Sequence, residues 1–157
     1  MERLNQLIKK QYAKVSKECK IAVVSVIVFG LLAHNYMFTN KLPNYDDMGI
    51  TGFGATFRLG RWFLWVLGAA VYHLDFSYSL PWINGIVSLV FIAVSAALLV
   101  YIFNLKNKLS IILISGMLVV FPSWTATFFF MFTALYYSLA VFLGVFWIFI
   151  PICMWYI

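Results

Sequence analysis

Carboxylates are scarce in this chain: Asp and Glu together number five in 157 residues, and charged residues of all kinds make up only 10%. A soluble globular domain carries roughly a quarter charged residues, so the composition excludes that class. With only two cysteines there is no disulfide framework. Cys19 follows a basic segment and Cys153 lies inside an apolar one, and both read as unpaired. Neither His34 nor His73 has a second His or Cys at ligand spacing, so a zinc site is unsupported and each reads as a polar residue at a membrane interface. The chain also lacks a phosphate-cradling P-loop, a dinucleotide fingerprint and a nucleophile elbow, which argues against nucleotide-dependent chemistry.

What fills the space is apolar. Hydrophobic residues are 64% of the chain and aromatics 20%, and the mean hydropathy is +0.95. Ile21–Asn40 and Phe76–Leu105 are uncharged, and Ser110–Ile157 contains no Asp, Glu, Lys or Arg. About 20 apolar residues cross the hydrocarbon core as a helix, so the first two stretches hold one span each and the last holds two. A β-barrel would need strict alternation of apolar and polar residues, and these runs are continuous. The expectation is an all-α integral membrane protein with four transmembrane helices.

The net charge of +6 is unevenly placed. Arg3, Lys9, Lys10, Lys14, Lys17 and Lys20 all precede the first span. That distribution fits a cytoplasmic topology signal in contact with anionic lipid, and it argues against a nucleic-acid partner. Residues 1–20 read as a basic amphipathic helix on the inner surface, with Leu4, Leu7, Ile8, Tyr12 and Val15 at helical spacing. The membrane domain, 21–157, is expected to place its spans near 21–38, 80–103, 105–121 and 133–157. The outer loop, 39–79, contains an apolar stretch, Trp62–Leu74, that is too short to span and reads as an interfacial or re-entrant helix. Pro81 is expected in the first turn of the second span. Phe121-Pro122-Ser123-Trp124 is expected to be the outer turn after the third, and Pro151 a kink in the fourth.

Chemistry, in a chain so poor in acids, points to the adjacent pair Asp46 and Asp47 in Asn40-Lys-Leu-Pro-Asn-Tyr-Asp-Asp47. One carboxylate of such a pair can act as general base while the other orients the acceptor or holds a divalent cation. Mutual repulsion raises one of the two pKa values and improves the base near neutrality. The plainer reading is that Asn44 or Asp46 caps a short helix. Lys41, Arg58 and Arg61 are the basic residues of the same outer loop. An arginine fork there can hold a phosphate at headgroup height; the plainer reading is contact with ordinary phospholipid. The aromatic run Phe128–Phe132 and Tyr136-Tyr137 reads as membrane packing rather than sugar stacking.

Taken in order, Asn40–Asp47, Gly60-Arg61-Trp62, Ser79-Leu80-Pro81-Trp82-Ile83-Asn84-Gly85, Phe121-Pro122-Ser123 and Phe130-Met131-Phe132-Thr133 resemble the start of the type II Gtr family of bacterial O-antigen glucosyltransferases, over about residues 20–145. These are multispan enzymes of the GT-C class. The resemblance implies the N-terminal part of a GT-C fold and transfer of glucose, or another hexose, from a polyprenyl phosphate sugar to a cell-surface glycan. It puts Asp46 and Asp47 in the first extracytoplasmic loop, where one deprotonates the acceptor hydroxyl, and it gives Arg61 the donor phosphate. Several enzymes of that class use a divalent cation, Mg or Mn, which these residues by themselves neither demand nor exclude. Family members carry about eight or more spans, and this chain stops within Met154-Trp155-Tyr156-Ile157. The expectation is therefore either an N-terminal portion, with missing C-terminal spans or a separate flippase as further partners, or a complete small four-span protein. The relatives often hold an acidic residue after the Phe-Thr pair, where this chain has Ala134-Leu135-Tyr136-Tyr137. The rivals are a small four-span transporter or flippase-type protein for a lipid-linked sugar and a non-enzymatic membrane subunit. A transporter would place polar groups near the midplane of its spans.

Overall fold

The computed structural model describes residues 15–40, 57, 60–73 and 80–155. Six helices account for most of these residues: α1 (Lys17–Thr39), α2 (Trp62–His73), α3 (Pro81–Ile102), α4 (Lys108–Val120), α5 (Pro122–Phe129) and α6 (Met131–Trp155). There is no strand among the described residues. Four stretches are long and apolar enough to cross a bilayer: α1, α3, α4 with α5 taken together as Lys108–Phe129, and Thr133–Ile152 of α6. At 1.5 Å per residue the 22 residues of the third run about 33 Å, the thickness of the hydrocarbon core. The 12 residues of α2 reach only about 18 Å, so α2 does not span.

Local chemistry sets the ends. The Ser16 side chain accepts from the backbone N–H of Cys19 and starts α1 one turn earlier than the charge pattern alone implies. Pro81 opens α3, where its missing N–H costs nothing. The end of α3 is a Schellman motif. Asn104 takes the left-handed conformation at φ 49°, its N–H donates to the Tyr101 carbonyl, and Leu105 N–H reaches back to Val100. The Asn107 side chain then accepts from Leu109 N–H and begins α4.

The third span departs from expectation. Phe121-Pro122 does not turn the chain back. Phe121 is extended, at φ −58° and ψ 138°, and Pro122 is the first residue of a new helix. The span breaks there and continues to Phe129. The reversal comes at Phe130, whose carbonyl accepts from the N–H groups of Thr133 and Ala134.

Contacts along the helices fix the topology. Cys19 lies against Ala97, Gly30 against Leu89 and Phe38 against Gly85, so α1 and α3 are antiparallel. Phe29 meets Gly116 and His34 meets Val119, so α4 runs parallel to α1. Asn84 reaches Met131, Phe91 meets Phe142 and Tyr101 meets Phe149, so α6 runs parallel to α3. The result is an up-down-up-down arrangement with α3 between α1 and α6 and α4 on the far side of α1. Small residues (Ala22, Gly30, Gly85, Ala93, Ala96, Gly116) occupy the α1–α3 and α1–α4 seams and let the backbones approach, the packing mode that lipid favours. Only 6% of the α6 window is buried within the bundle. Its exposed Leu143, Phe146, Trp147 and Ile150 form an apolar surface suited to hydrocarbon.

Candidate functional site

At one end of the bundle α1 and α5 finish while α3 and α6 begin, and here two of the segments singled out in the sequence, around Asn84 and Met131, meet. Phe38, in the last turn of α1, lays its ring against Gly85; a Cβ there would stand 2.7 Å from two of its ring carbons. The same ring meets Phe128 of α5 edge-on, with centroids 5.0 Å apart. Phe128 stacks obliquely on His34 at 4.7 Å and on Trp124 at 6.0 Å. The Asn84 amide donates to the Met131 carbonyl over 3.2 Å and ties the first turn of α3 to the turn into α6. Three separated stretches are thus linked: Asn84-Gly85 of α3, Trp124 and Phe128 of α5, and Met131 at the start of α6.

His34 does not sit at an interface as expected. It is 1% exposed, and its Nε2 lies 2.9 Å from the Val119 carbonyl while Nδ1 has no partner among the described residues. The burial follows from spacing: Ala22, Val26, Gly30, His34 and Phe38 fall every fourth residue, and all five are buried on the face that meets α3 and α4. That period is the signal that would have found His34, whereas reading it from its place near the helix end hides it. The Asn84 tie has no such signal, because its acceptor is a main-chain carbonyl far along the chain.

Of the residues expected to carry chemistry, Arg61 is described. Gly60 takes φ +76°, open to glycine, and its N–H closes a turn onto Phe57. Arg61 follows, exposed, with its carbonyl accepting from Trp65 N–H at 3.1 Å in the first turn of α2. Trp62 is exposed beside it, and Phe57 packs edge-on against Trp65. The Gly-Arg-Trp order thus has a local meaning: turn, free guanidinium, start of an aromatic helix. Asp46, Asp47, Lys41 and Arg58 lie outside the described residues, as do Asp75 and the N-terminal segment 1–14. Among the described residues no group of three or more His, Cys, Asp or Glu could hold a metal ion. A cavity of about 310 Å³ opens between α3, α4 and α5, lined mainly by apolar residues such as Leu99, Ile114, Leu118 and Trp124, with Ser115 and Ser123 the polar members.

Four apolar spanning helices, a short aromatic helix opened by an exposed arginine, and motif segments gathered at one end define a polytopic all-α membrane protein. Residues 35–153 match the family model of the glucosyl transferase GtrII, and the chain belongs to that family. No curated protein and no solved structure matches it.

Proposed function

We propose that the protein is a membrane glucosyltransferase of the GT-C type that moves a hexose from a polyprenyl phosphate sugar to a cell-surface glycan such as O-antigen. The observation that carries the reading is the family match from the last turn of α1 through the three later spans into α6. The reaction is a displacement at the anomeric carbon. Asp46 or Asp47 takes the proton of the acceptor hydroxyl, whose oxygen attacks the carbon opposite the phosphate. The bond from that carbon to the phosphate oxygen breaks, the configuration inverts, and polyprenyl phosphate leaves. Arg61, exposed at the first turn of α2, supports this reading as a fork for the donor phosphate and for the charge it gains as it leaves. Where the mechanism uses a divalent cation, the Asp46-Asp47 pair offers the oxygen ligands such an ion takes. The bilayer holds the donor's lipid tail. A flippase to deliver the donor, or further spans of the enzyme, completes the list of partners.

The test is direct. Asp46→Asn and Asp47→Asn are made in the intact protein in its native membrane, and glucose incorporation is measured beside membrane insertion. The expected result is normal insertion with transfer abolished in at least one variant. Wild-type glycan modification in both would remove the pair from the mechanism.

A further inference from the structure

We propose that His34 is a positioning residue of the transfer reaction, holding the broken third span against α1 by donating its Nε2–H to the Val119 carbonyl. The inference rests on the transferase reading only for its activity arm.

The argument begins at the break. In an unbroken helix the Leu118 carbonyl would accept from residue 122 and the Val119 carbonyl from residue 123. Pro122 has no N–H, and Ser123 lies beyond the extended Phe121. The Leu118, Val119 and Val120 carbonyls therefore lose their helical donors, Trp124 N–H turning instead to Phe121, and lipid supplies no replacement. His34 Nε2 stands 2.9 Å from one of them, Val119. A carbonyl can only accept, so Nε2 carries the proton. Nδ1 of the same ring is buried without a partner among the described residues. Among the described residues the ring meets Phe38, Phe128 and the Val119 backbone. α3, α5, α6, α1 from Ile21 and α4 from Leu109 contain no Asp, Glu, Lys or Arg.

The hydrogen bond couples more than its two ends. Through Phe38 the imidazole is stacked against the start of α3, and through Phe128 against α5. One side chain thus sets how α5 sits beside the last turn of α1, and the chain runs on from that turn to Asp46 and Asp47 six and seven residues after Asn40. Arg61 belongs to a separate segment. Loss of the bond is therefore expected to lower turnover and to leave the KM for the lipid-linked donor close to that of the parent protein.

Two variants of the full chain separate donor from volume. His34→Gln carries an amide N–H near the position of Nε2, and His34→Leu fills the space without a donor. Expected are a fall in kcat of at least about tenfold for His34→Leu at little-changed KM, with normal insertion, and recovery to within about threefold of the parent for His34→Gln. Independently of activity, His73→Gln leaves His34 as the only histidine, and the 15N spectrum of the histidine-labelled protein is expected to show a proton on Nε2. Parental turnover in His34→Leu, equal inactivity in both inserted variants, or a spectrum with no proton on Nε2 would each overturn the proposal. If the parent protein transfers no glucose, the proposed function falls, and the spectrum still decides the bridge.

Discussion

Glycines show how tightly single residues are specified here. Gly85 faces the ring of Phe38, and that ring is held on its other side by Phe128 and His34, so it has nowhere to swing. Gly30 faces the end of the Leu89 side chain, which can change rotamer, and a Val119 methyl at 3.1 Å. Gly144 faces nothing within 4 Å. Gly85→Ala is therefore expected to cost about 1–3 kcal/mol as an overpacked interface, and Gly30→Ala less. Gly144→Ala, in the interior of α6, is expected to gain a few tenths to about 1 kcal/mol from lost backbone freedom in the unfolded chain. Thermal unfolding in detergent would rank the three; a Gly85→Ala protein as stable as Gly144→Ala would show that the Phe38 cluster is not the constraint.

Among the elements, the turn between α3 and α4 makes a second prediction. Asn104 holds φ 49°, a region costly for most L-residues and tolerated by asparagine. Asn104→Ala is expected to lose about 1 kcal/mol, and Asn104→Gly to hold or exceed the parent stability. Equal losses in both, measured by the same unfolding assay, would mean that the side chain and not the backbone matters. The elements also show what can be read from sequence. Uninterrupted apolar runs made α1 and α3 legible, and Pro81 marked its helix start because the missing N–H leaves proline at home in a first turn. The same reasoning failed forty residues later. Pro122 also begins a helix, but one that continues a span, while the true reversal at Phe130 carries neither glycine nor proline. A proline says that the preceding hydrogen bonds end; whether the chain then reverses depends on what the next helix packs against, and Phe128 against Phe38 and His34 settles that in three dimensions. The candidate site divides likewise: composition picked out Asp46 and Asp47, and only the fold assembled Asn84, Phe128 and Met131 around one end of the bundle.

Charge orients the whole molecule. Lys17 and Lys20 open α1, and Lys106 and Lys108 lie in the turn before α4 and at its start. The contact of Cys19 with Ala97, near the end of α3, puts these lysines at the same end of the bundle. The opposite end, where α1 stops at Thr39 and α3 begins at Pro81, has no charged residue in the described parts of those helices. The proposed function, with basic flanks retained on the cytoplasmic side, calls for Arg61 and the aspartate pair of the 41–79 stretch to lie outside. A transferase acting on a surface glycan requires that placement, because its acceptor never meets the cytoplasm. The prediction uses single cysteines in a Cys19→Ser, Cys153→Ser background. Asn40→Cys is expected to react with a membrane-impermeant maleimide in intact spheroplasts, and Asn107→Cys only after the membrane is opened. The reverse pattern would put the aspartate pair on the cytoplasmic face, where a carboxylate could still act as a base but no surface glycan could supply the hydroxyl.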